Sequence, residues 1–496
     1  MKAVSKDQFP ILKLMGLAAA ALAIHGYHLG VEDAETYLPA VKKLANPSLY
    51  PFATDFFLLH CHLSLFGLIV AWTSKLTDMP VDWTILAWYV VSLFSMLASC
   101  WLLLTACFSS SRARWSGILV ITAVLTMPAA NTALLLFDPY LTARSFSTPL
   151  TIFALAGFLK HRYALAGVAA LLTATIHPQM SAYIVFLMAV LWLVERRENM
   201  VGEPVPALAS IAAILPTGFQ ISPATGNYRE ALYSRDYFFL YNWAWYHWLG
   251  LLAPLAILAW FCKSELRETL PGFRRISFAL IPFGLLSIAA AGLVCSSPSF
   301  EMFVRIQPLR SFHVITIVFV LLLAGVAGEY LGKGRPRAIA AVVILLAAGL
   351  FIVSRQTYPN SVQIELPSNS SSNPWVNTLL WVRQNTPTDA VFAVDSHYFR
   401  DEMTDAHGFR AIAERSALAD YYKDSGVVSL FPIAADEWKA MSSATFGLNH
   451  FSSARFRSLN LQYPEVSWTV IHGPVPDGMT CPYQQQGYVV CRIPSL

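Results

Sequence analysis

Two adjacent acids, Glu32 and Asp33, lie in the polar stretch from Val31 to Asp55, directly after the first hydrophobic segment of the chain. Most of the remaining sequence is apolar enough to lie in lipid, so charge at this boundary marks a candidate functional site. An ionised carboxylate here could act as a general base toward a substrate hydroxyl or amine. A solvated loop with a short amphipathic helix is the alternative, and the residue pattern leaves both open.

A second group of charged residues follows farther along the chain. Asp138 and Arg144 are separated by six positions in DPYLTARS, so they could form a structural ion pair or contact a substrate. Arg305 and Arg310 lie just before an apolar run, where outer-side arginines are disfavoured unless an anion partners them. That anion could be Glu301, a lipid headgroup or a lipid-linked phosphate.

Two further features contain candidate binding residues. His177 precedes Pro178, so it could contact substrate or satisfy helix hydrogen bonds that the proline breaks. Tyr228 and Arg229 begin a segment rich in aromatic residues that continues to Trp248. An interfacial aromatic belt explains this segment, and contact with a sugar or a lipid chain is the other interpretation.

The composition identifies a polytopic membrane protein. Hydrophobic residues make up 56% of the 496 positions and charged residues only 13%, and the mean hydropathy is +0.50. Soluble globular chains carry about 25% charged residues. The net charge of +4 is small and scattered, which argues against a nucleic-acid partner.

About eleven apolar runs approach the length that crosses a bilayer, so we expect a mainly α, polytopic transmembrane helix bundle. The N-terminal apolar run is expected to be an uncleaved first span. The predicted spans are 12–30, 84–108, 115–136, 145–159, 163–176, 180–194, 205–221, 246–262, 276–295, 312–331 and 337–354.

The run from Phe56 to Leu76 decides the topology. If it lies on the outer surface as an interfacial helix, every basic cluster between spans becomes cytoplasmic, as the positive-inside rule favours. We therefore expect a cytoplasmic N-terminus and outer loops that hold the candidate site. The expected location is the bacterial cytoplasmic (inner) membrane, with the C-terminal domain extracytoplasmic.

The composition changes after the last span. Residues 1–355 are expected to form the transmembrane domain with a first outer loop over 31–82, 356–373 a linker, and 374–496 a small extracytoplasmic α/β domain. Within the last segment the patterns predict a helix at 375–384 and strands at 389–394, 468–472 and 487–493. Cys481 and Cys491 flank a predicted hairpin, and we expect a disulfide between them.

Other residues of this domain have weaker patterns. Arg410 and Glu414 have the spacing of a helical ion pair. Asp395 and His397 end a predicted strand, where ligands of α/β sheets tend to bind. The sequence contains no HExxH, no Cys/His zinc spacing, no GxxxxGK[ST] loop and no GxSxG elbow.

The arrangement resembles the C-type (GT-C) glycosyltransferases, polytopic enzymes that use polyprenyl-phosphate sugars. The matching features are an acid pair in the first outer loop, an interfacial helix ending near PVDW, a second acid in DPYLTARS, and a C-terminal outer domain. The protein mannosyltransferases and the lipid A aminoarabinose transferase are branches of this group. Segments such as EDAETYLPAVKK and GFRAIAERSALAD are also similar to those of a bacterial membrane-protein family of this type.

The resemblance implies a transfer of a sugar from a polyprenyl-phosphate donor to a lipid, glycan or protein acceptor. It places the catalytic base at Asp33, with Glu32 as the rival, and it calls for arginines to hold the donor phosphate. It also implies that a divalent cation, Mg²⁺ or Mn²⁺, can assist phosphate binding. A transporter or flippase and a non-enzymatic envelope assembly factor are the alternatives. We see no inverted repeat of the kind typical of transporters.

Overall fold

The computed structural model describes residues 9–199, 223–264, 271–330 and 336–494. The predicted span 205–221 lies outside these residues. The described chain is a helical bundle followed by a smaller domain built on a mixed β-sheet, as the composition predicts. The helices of the first part are α1 Ile11–His25, α2 Ala34–Ala45, α3 Thr54–Phe57, α4 Phe66–Thr77, α5 Val81–Cys107, α6 Ser111–Ala123, α7 Ala143–Leu159, α8 Tyr163–Ile176, α9 Pro178–Asn199, α10 Gly226–Tyr233, α11 Trp245–Lys263, α12 Pro271–Cys295, α13 Phe312–Tyr330 and α14 Pro336–Thr357.

Each predicted span within the described residues overlaps a helix, although several of these helices are short. The predicted span 115–136 is wrong after Ala123, where α6 ends, so only its first part is helical. Among the residues that the structure describes, six helical segments are long and apolar enough to cross a membrane. They are Val81–Cys107, Pro178–Arg196, Trp245–Lys263, Gly272–Cys295, Pro298–Tyr330 and Pro336–Thr357.

The run from Phe56 to Leu76 does not form one long helix. It is divided among α3, a 3₁₀ turn at Leu59–Leu63, and α4. The longest piece, α4, has 12 residues and is therefore about 18 Å long, shorter than the roughly 30 Å hydrocarbon core. This length favours the interfacial placement over a span.

Close helix packing in the bundle depends on small residues. Helix α13 packs along α6, and a Cβ added at Gly328 would lie 2.5 Å from Ser116 Cβ. A Cβ at Gly325 would meet the ring of Phe108 at 2.4 Å. Glycines allow these two helix surfaces to approach, which is the usual way that membrane helices gain van der Waals contact.

The smaller domain is a five-stranded sheet with strand order β2-β1-β3-β5-β4. Strand β1 pairs in parallel with β2 and β3, whereas β3–β5 and β5–β4 are antiparallel. Its strands are β1 Val391–Ala393, β2 Ser416–Ala417, β3 Val466–His472, β4 Thr480–Gln485 and β5 Tyr488–Arg492. Its helices are α15 Pro374–Asn385, α16 Phe409–Ala413, α17 Lys423–Leu430, α18 Ala435–Ala444 and α19 Ser453–Gln462.

The predicted helix and the three predicted strands of this domain all form. The predicted disulfide between Cys481 and Cys491 is also confirmed, and it joins β4 to β5. The prediction of a helical ion pair between Arg410 and Glu414 is wrong. Helix α16 ends at Ala413, Glu414 has a left-handed backbone (φ 53°), and the two side chains bind different partners.

The segment predicted as a linker is bound to both parts of the chain. The Tyr27 backbone N–H donates to the Gln363 carbonyl at 3.0 Å. Glu365 accepts a hydrogen bond from His407 at 2.9 Å, which ties this segment to the smaller domain. These contacts hold the smaller domain over the first loop of the bundle.

Candidate active site

The acid pair lies where the first loop turns into α2. Glu32 has a left-handed backbone (φ 53°), and its N–H donates to the Ala406 carbonyl of the smaller domain at 2.9 Å. Asp33 occupies the N-cap position of α2, but its carboxylate makes no capping hydrogen bond. The Asp33 side chain instead points toward cationic groups from other elements.

Arg144, near the start of α7, joins the carboxylates of Asp33 and Asp138. Its Nη2 lies 2.9 Å from Asp33 Oδ2 and 2.9 Å from Asp138 Oδ2. Asp138 accepts a second hydrogen bond from Arg144 Nε at 3.0 Å. The ion pair that the sequence suggested therefore forms, and Arg144 extends it to Asp33.

Lys423 completes the cluster from the smaller domain. Its Nζ contacts Glu32 Oε2 and lies 3.3 Å from Asp33 Oδ1. The start of α17 positions this lysine, since the Lys423 N–H donates to Asp420 Oδ1 at 2.5 Å. Residues far apart in sequence thus surround the acid pair with two cations.

These residues line a cavity of about 300 Å³ between the bundle and the smaller domain. Two carboxylates, Glu32 and Asp33, face four cationic side chains across it. The four are Arg144, Arg235, Arg310 and Lys423. The cavity wall is therefore positively charged overall and suits an anionic ligand.

Three cavity residues retain unused hydrogen-bonding atoms. Arg310 Nε, Arg235 Nε and His177 Nδ1 are buried and bind no partner among the residues that the structure describes. His177 donates its backbone N–H to the Thr173 carbonyl at 2.7 Å. Buried polar atoms without partners are costly, and the two arginine N–H groups can only donate, so the arrangement favours a ligand that accepts hydrogen bonds here.

The charges around the cavity shift the pKa values of its groups. Burial alone would raise the pKa of Asp33, but Lys423 and Arg144 together hold it well below its usual range. Burial raises the pKa of Asp138 and outweighs the opposing effect of Arg144. Burial also lowers the pKa of His177 to about 3, so its ring is neutral.

Tyr237 lies in the same cavity and is affected differently. Burial would raise the pKa of its phenol, but Arg235 and Arg310 lower it below its ordinary value. The lowered pKa of Tyr237 is a further sign that the cavity wall has a positive electrostatic potential.

The predicted site residues separate into two groups. Glu32, Asp33, Arg144, His177 and Arg310 line the cavity, and Asp138 lies behind Arg144. The other group lies elsewhere: Tyr228 donates to the Ser429 carbonyl, Arg229 pairs with Glu301 at 3.5 Å, and Arg305 is not part of the cavity lining.

Lys423 and Arg235 belong to the site but were not predicted. Lys423 follows two tyrosines in DYYKDS, and Arg235 lies in an aromatic-rich loop. Neither segment has a local pattern that marks a site. Only the folding of the smaller domain onto the first loop brings Lys423 to the acids.

The acids do not fit a divalent cation. Asp33 and Asp138 already accept hydrogen bonds from Arg144, and Glu32 from Lys423. Across the described ranges, no three His, Cys, Asp or Glu side chains converge as a metal site.

No protein-family model and no curated protein matches this sequence. Several solved protein structures are similar to this chain in fold. An oligosaccharyltransferase from Archaeoglobus fulgidus is 12% identical, with a TM-score of 0.48 over 94% of this chain and 70% of the other. The oligosaccharyltransferase AglB of the same organism was solved with an inhibitory peptide and a dolichol-phosphate. It is 12% identical, with a TM-score of 0.49 over 93% of this chain and 69% of the other.

The arabinofuranosyltransferase AftD from Mycobacteria is also 12% identical, with a TM-score of 0.50 over 98% of this chain. The aligned part is 40% of that longer protein. At this identity the likeness concerns the fold. The chain has the polytopic fold of the C-type glycosyltransferases, as the sequence resemblance implied.

Proposed function

We propose that this protein is a membrane glycosyltransferase that transfers a sugar from a polyprenyl-phosphate donor to an acceptor on the extracytoplasmic side. One observation carries the proposal: the cavity places the Asp33 carboxylate beside a cationic wall with unpartnered donors on Arg310 and Arg235. Such a wall suits a phosphate, and a carboxylate beside it can receive a proton.

In the proposed reaction the acceptor O–H or N–H gives its proton to Asp33. The acceptor oxygen or nitrogen forms a bond to the anomeric carbon, and the bond from that carbon to the phosphate oxygen breaks. The electron pair leaves with the phosphate, which Arg310 and Arg235 stabilise as an anion. Arg144 and Lys423 keep Asp33 ionised before the acceptor binds.

The two cations also limit how basic Asp33 can be. A carboxylate with a low pKa is a weak base, since proton transfer is most effective when the pKa lies near the working pH. A bound donor phosphate would compete for Arg144 and Lys423 and so raise the basicity of Asp33. On this proposal, donor binding activates the base.

An apolar groove beside the cavity supports a donor with a lipid chain. It has a volume of about 490 Å³ and lies between α5 and α7, with Trp88, Phe146 and Leu150 among its lining residues. Arg144 lines the polar cavity and Phe146, two residues on, lines the groove. A phosphate at the cavity therefore has an apolar channel next to it.

A chain of aromatic contacts connects the two spaces. The ring centroids of Tyr37 and Phe66 are 5.7 Å apart, those of Phe66 and Phe146 are 5.3 Å apart, and those of Phe146 and Trp88 are 4.9 Å apart. Tyr37 lines the cavity, while Phe146 and Trp88 line the groove. The wall is continuous, so an amphipathic ligand can occupy both.

The extracytoplasmic orientation is part of the proposal. The disulfide between Cys481 and Cys491 supports it, because such bonds persist in oxidising compartments. A cysteine introduced at the exposed Asp78 should react with a membrane-impermeant maleimide in intact cells. Labelling only after the membrane is permeabilised would contradict this orientation.

The substitution Asp33→Asn tests the catalytic assignment, with Asp78→Asn as the matched control. Both lie in the first loop region, but Asp78 is exposed and outside the cavity. Transfer would be measured with undecaprenyl phosphates carrying mannose, glucose, arabinose or aminoarabinose, each with membrane acceptors. We expect Asp33→Asn to reduce transfer about 100-fold or more and Asp78→Asn to leave it unchanged. Equal transfer by Asp33→Asn and the control would exclude this base.

Arg310→Ala tests the phosphate contact separately. Binding of undecaprenyl phosphate in nanodiscs should weaken by about tenfold or more, because hydrogen bonds to charged groups are strong. Arg305→Ala is the control, since Arg305 lies in the same segment but outside the cavity. Unchanged binding in Arg310→Ala would show that this arginine does not hold the phosphate.

A further inference from the structure

Four aromatic side chains of the smaller domain form a cluster that we call the aromatic shelf: His397, Tyr421, Tyr422 and Phe446. The His397 ring stacks on Tyr421 with centroids 4.7 Å apart and an interplanar angle of 19°. Tyr422 and Phe446 meet the same ring edge-on at 5.3 and 4.9 Å. Their arrangement presents several ring surfaces side by side.

One side of the shelf packs on a buried side chain, and its other end is exposed to solvent. Trp438, fully buried, packs against Tyr421 at 5.3 Å and donates its indole N–H to the Asp420 carbonyl. Phe446, in contrast, is 58% exposed. The Phe446 ring therefore extends the packed cluster of rings to the protein surface, where a ligand can contact it.

Polar groups of both signs surround the shelf. The Arg400 guanidinium lies 4.3 Å above the Tyr422 ring. Tyr421 Oη donates to Glu230 at 3.3 Å, and Lys439 Nζ binds the same carboxylate at 2.6 Å. The edge of the shelf therefore offers both hydrogen-bond donors and acceptors.

The shelf continues directly into the candidate active site. The Tyr422 carbonyl accepts a hydrogen bond from Arg235, which lines the cavity. The next residue, Lys423, contacts Glu32 and Asp33. The shelf therefore adjoins the wall of the cavity that contains Asp33.

The chemistry of this surface matches a carbohydrate. A sugar ring has an apolar C–H face that packs on aromatic rings, and its edge carries hydroxyls that both donate and accept hydrogen bonds. A lipid chain could not form hydrogen bonds with Arg400, Lys439 or Glu230. A peptide could also pack here, and the experiment below includes it as a competing outcome.

We propose that the aromatic shelf binds the sugar chain of the acceptor, so that the acceptor is a glycan whose end reaches Asp33. This inference rests on the proposed glycosyl transfer. It assigns the smaller domain a role in acceptor recognition, in addition to supplying Lys423.

The test measures oligosaccharide binding to the purified full chain in nanodiscs. Mannotetraose, maltotetraose and arabinotetraose are titrated by saturation-transfer NMR, with a neutral tetrapeptide as the competing probe. We expect at least one oligosaccharide to bind. Phe446→Ala should weaken it about three- to tenfold, the effect expected for losing one aromatic contact.

Ile433→Ala is the matched control, because Ile433 is 90% exposed in the same domain but outside the shelf. It should bind like the wild type. Tyr421→Ala provides a second variant that should also weaken binding. The proposal is overturned if no oligosaccharide binds, if only the tetrapeptide binds, or if Phe446→Ala and Tyr421→Ala bind as well as the control.

Binding of undecaprenyl phosphate in the same samples separates this inference from the proposed function. Phe446→Ala should leave it unchanged, whereas Arg310→Ala should weaken it. If Arg310→Ala has no effect but the shelf variants lose oligosaccharide binding, the donor assignment fails and the glycan site stands.

Discussion

Replacing Arg410 with methionine should reduce the free energy of unfolding by about 3–5 kcal/mol, the usual cost of leaving buried charges unpaired. Arg410 is 3% exposed. Its Nε lies 2.8 Å from Glu35 Oε1, and its Nη2 lies 2.9 Å from Asp424 Oδ1 and 3.4 Å from Asp420 Oδ2. One guanidinium therefore serves three buried carboxyl groups.

Protonation of the carboxyls limits the loss. Burial already raises the pKa of Glu35, and burial together with Asp424 raises the pKa of Asp420. Without Arg410 these groups would take up protons on folding, so the loss should lie near 3 kcal/mol in acid and increase as the pH rises. The substitution also removes support from Lys423, whose N–H donates to Asp420.

Urea-induced unfolding of the purified protein in detergent, followed by tryptophan fluorescence, measures this loss. Trp438 donates to the Asp420 carbonyl and thus reports on the same region. Arg492→Met is the control, since Arg492 is an exposed arginine 5.0 Å from the Trp468 ring. It should cost about 0.5–1 kcal/mol.

A variant Arg410→Met that unfolds at the same urea concentration as Arg492→Met, at both pH 5 and pH 8, would refute this reasoning. It would show that the three carboxyl groups do not depend on the guanidinium. A loss that does not change with pH would refute only the part that concerns protonation.

Three further predictions concern other contacts. Glu365 raises the pKa of His407 despite its burial, and His407 lowers the pKa of Glu365. The pair therefore stabilises the fold fully between the ordinary pKa values of the two groups, about pH 4.5 and 6.5, and less as the pH rises through the shifted pKa of His407; urea titrations should show this loss in the wild type and not in His407→Gln. Cys491→Ser opens a disulfide between residues 10 positions apart, which should cost about 2–3 kcal/mol in the same assay; an unchanged midpoint would contradict this. Gly328→Leu should lower the thermal midpoint by the equivalent of about 1–3 kcal/mol because its side chain meets α6, whereas Gly349→Leu, with no atoms within 4 Å of its added Cβ, should not.

The parts of the fold that follow from local pattern could be predicted from the sequence. Apolar runs predict helices because lipid and the bundle interior both exclude charge. Alternating residues near Trp468 and Val490 predict the paired strands β3 and β5. The spacing of Cys481 and Cys491 around a turn predicts their disulfide, since a hairpin brings such positions together.

Local sequence patterns did not predict the ion pairs in which a residue's partner belongs to a distant element. Arg410 and Glu414 have helical spacing, yet the chain turns at Glu414 and Arg410 binds Glu35 instead. In the same way, Lys423 shows nothing in its own segment that points to Asp33. Ion pairs form in three dimensions, and sequence spacing predicts them only inside a continuous helix.

The sequence by itself determined that this chain lies in a membrane, that an acid pair follows its first helix, and that a small α/β domain ends it. Hydrophobic patterning carries that information because it is local and repeats along the chain. Only the tertiary structure decided which cations meet the acid pair. Arg144 and Lys423 reach Asp33 from α7 and from the smaller domain because packing brings those elements together over the first loop.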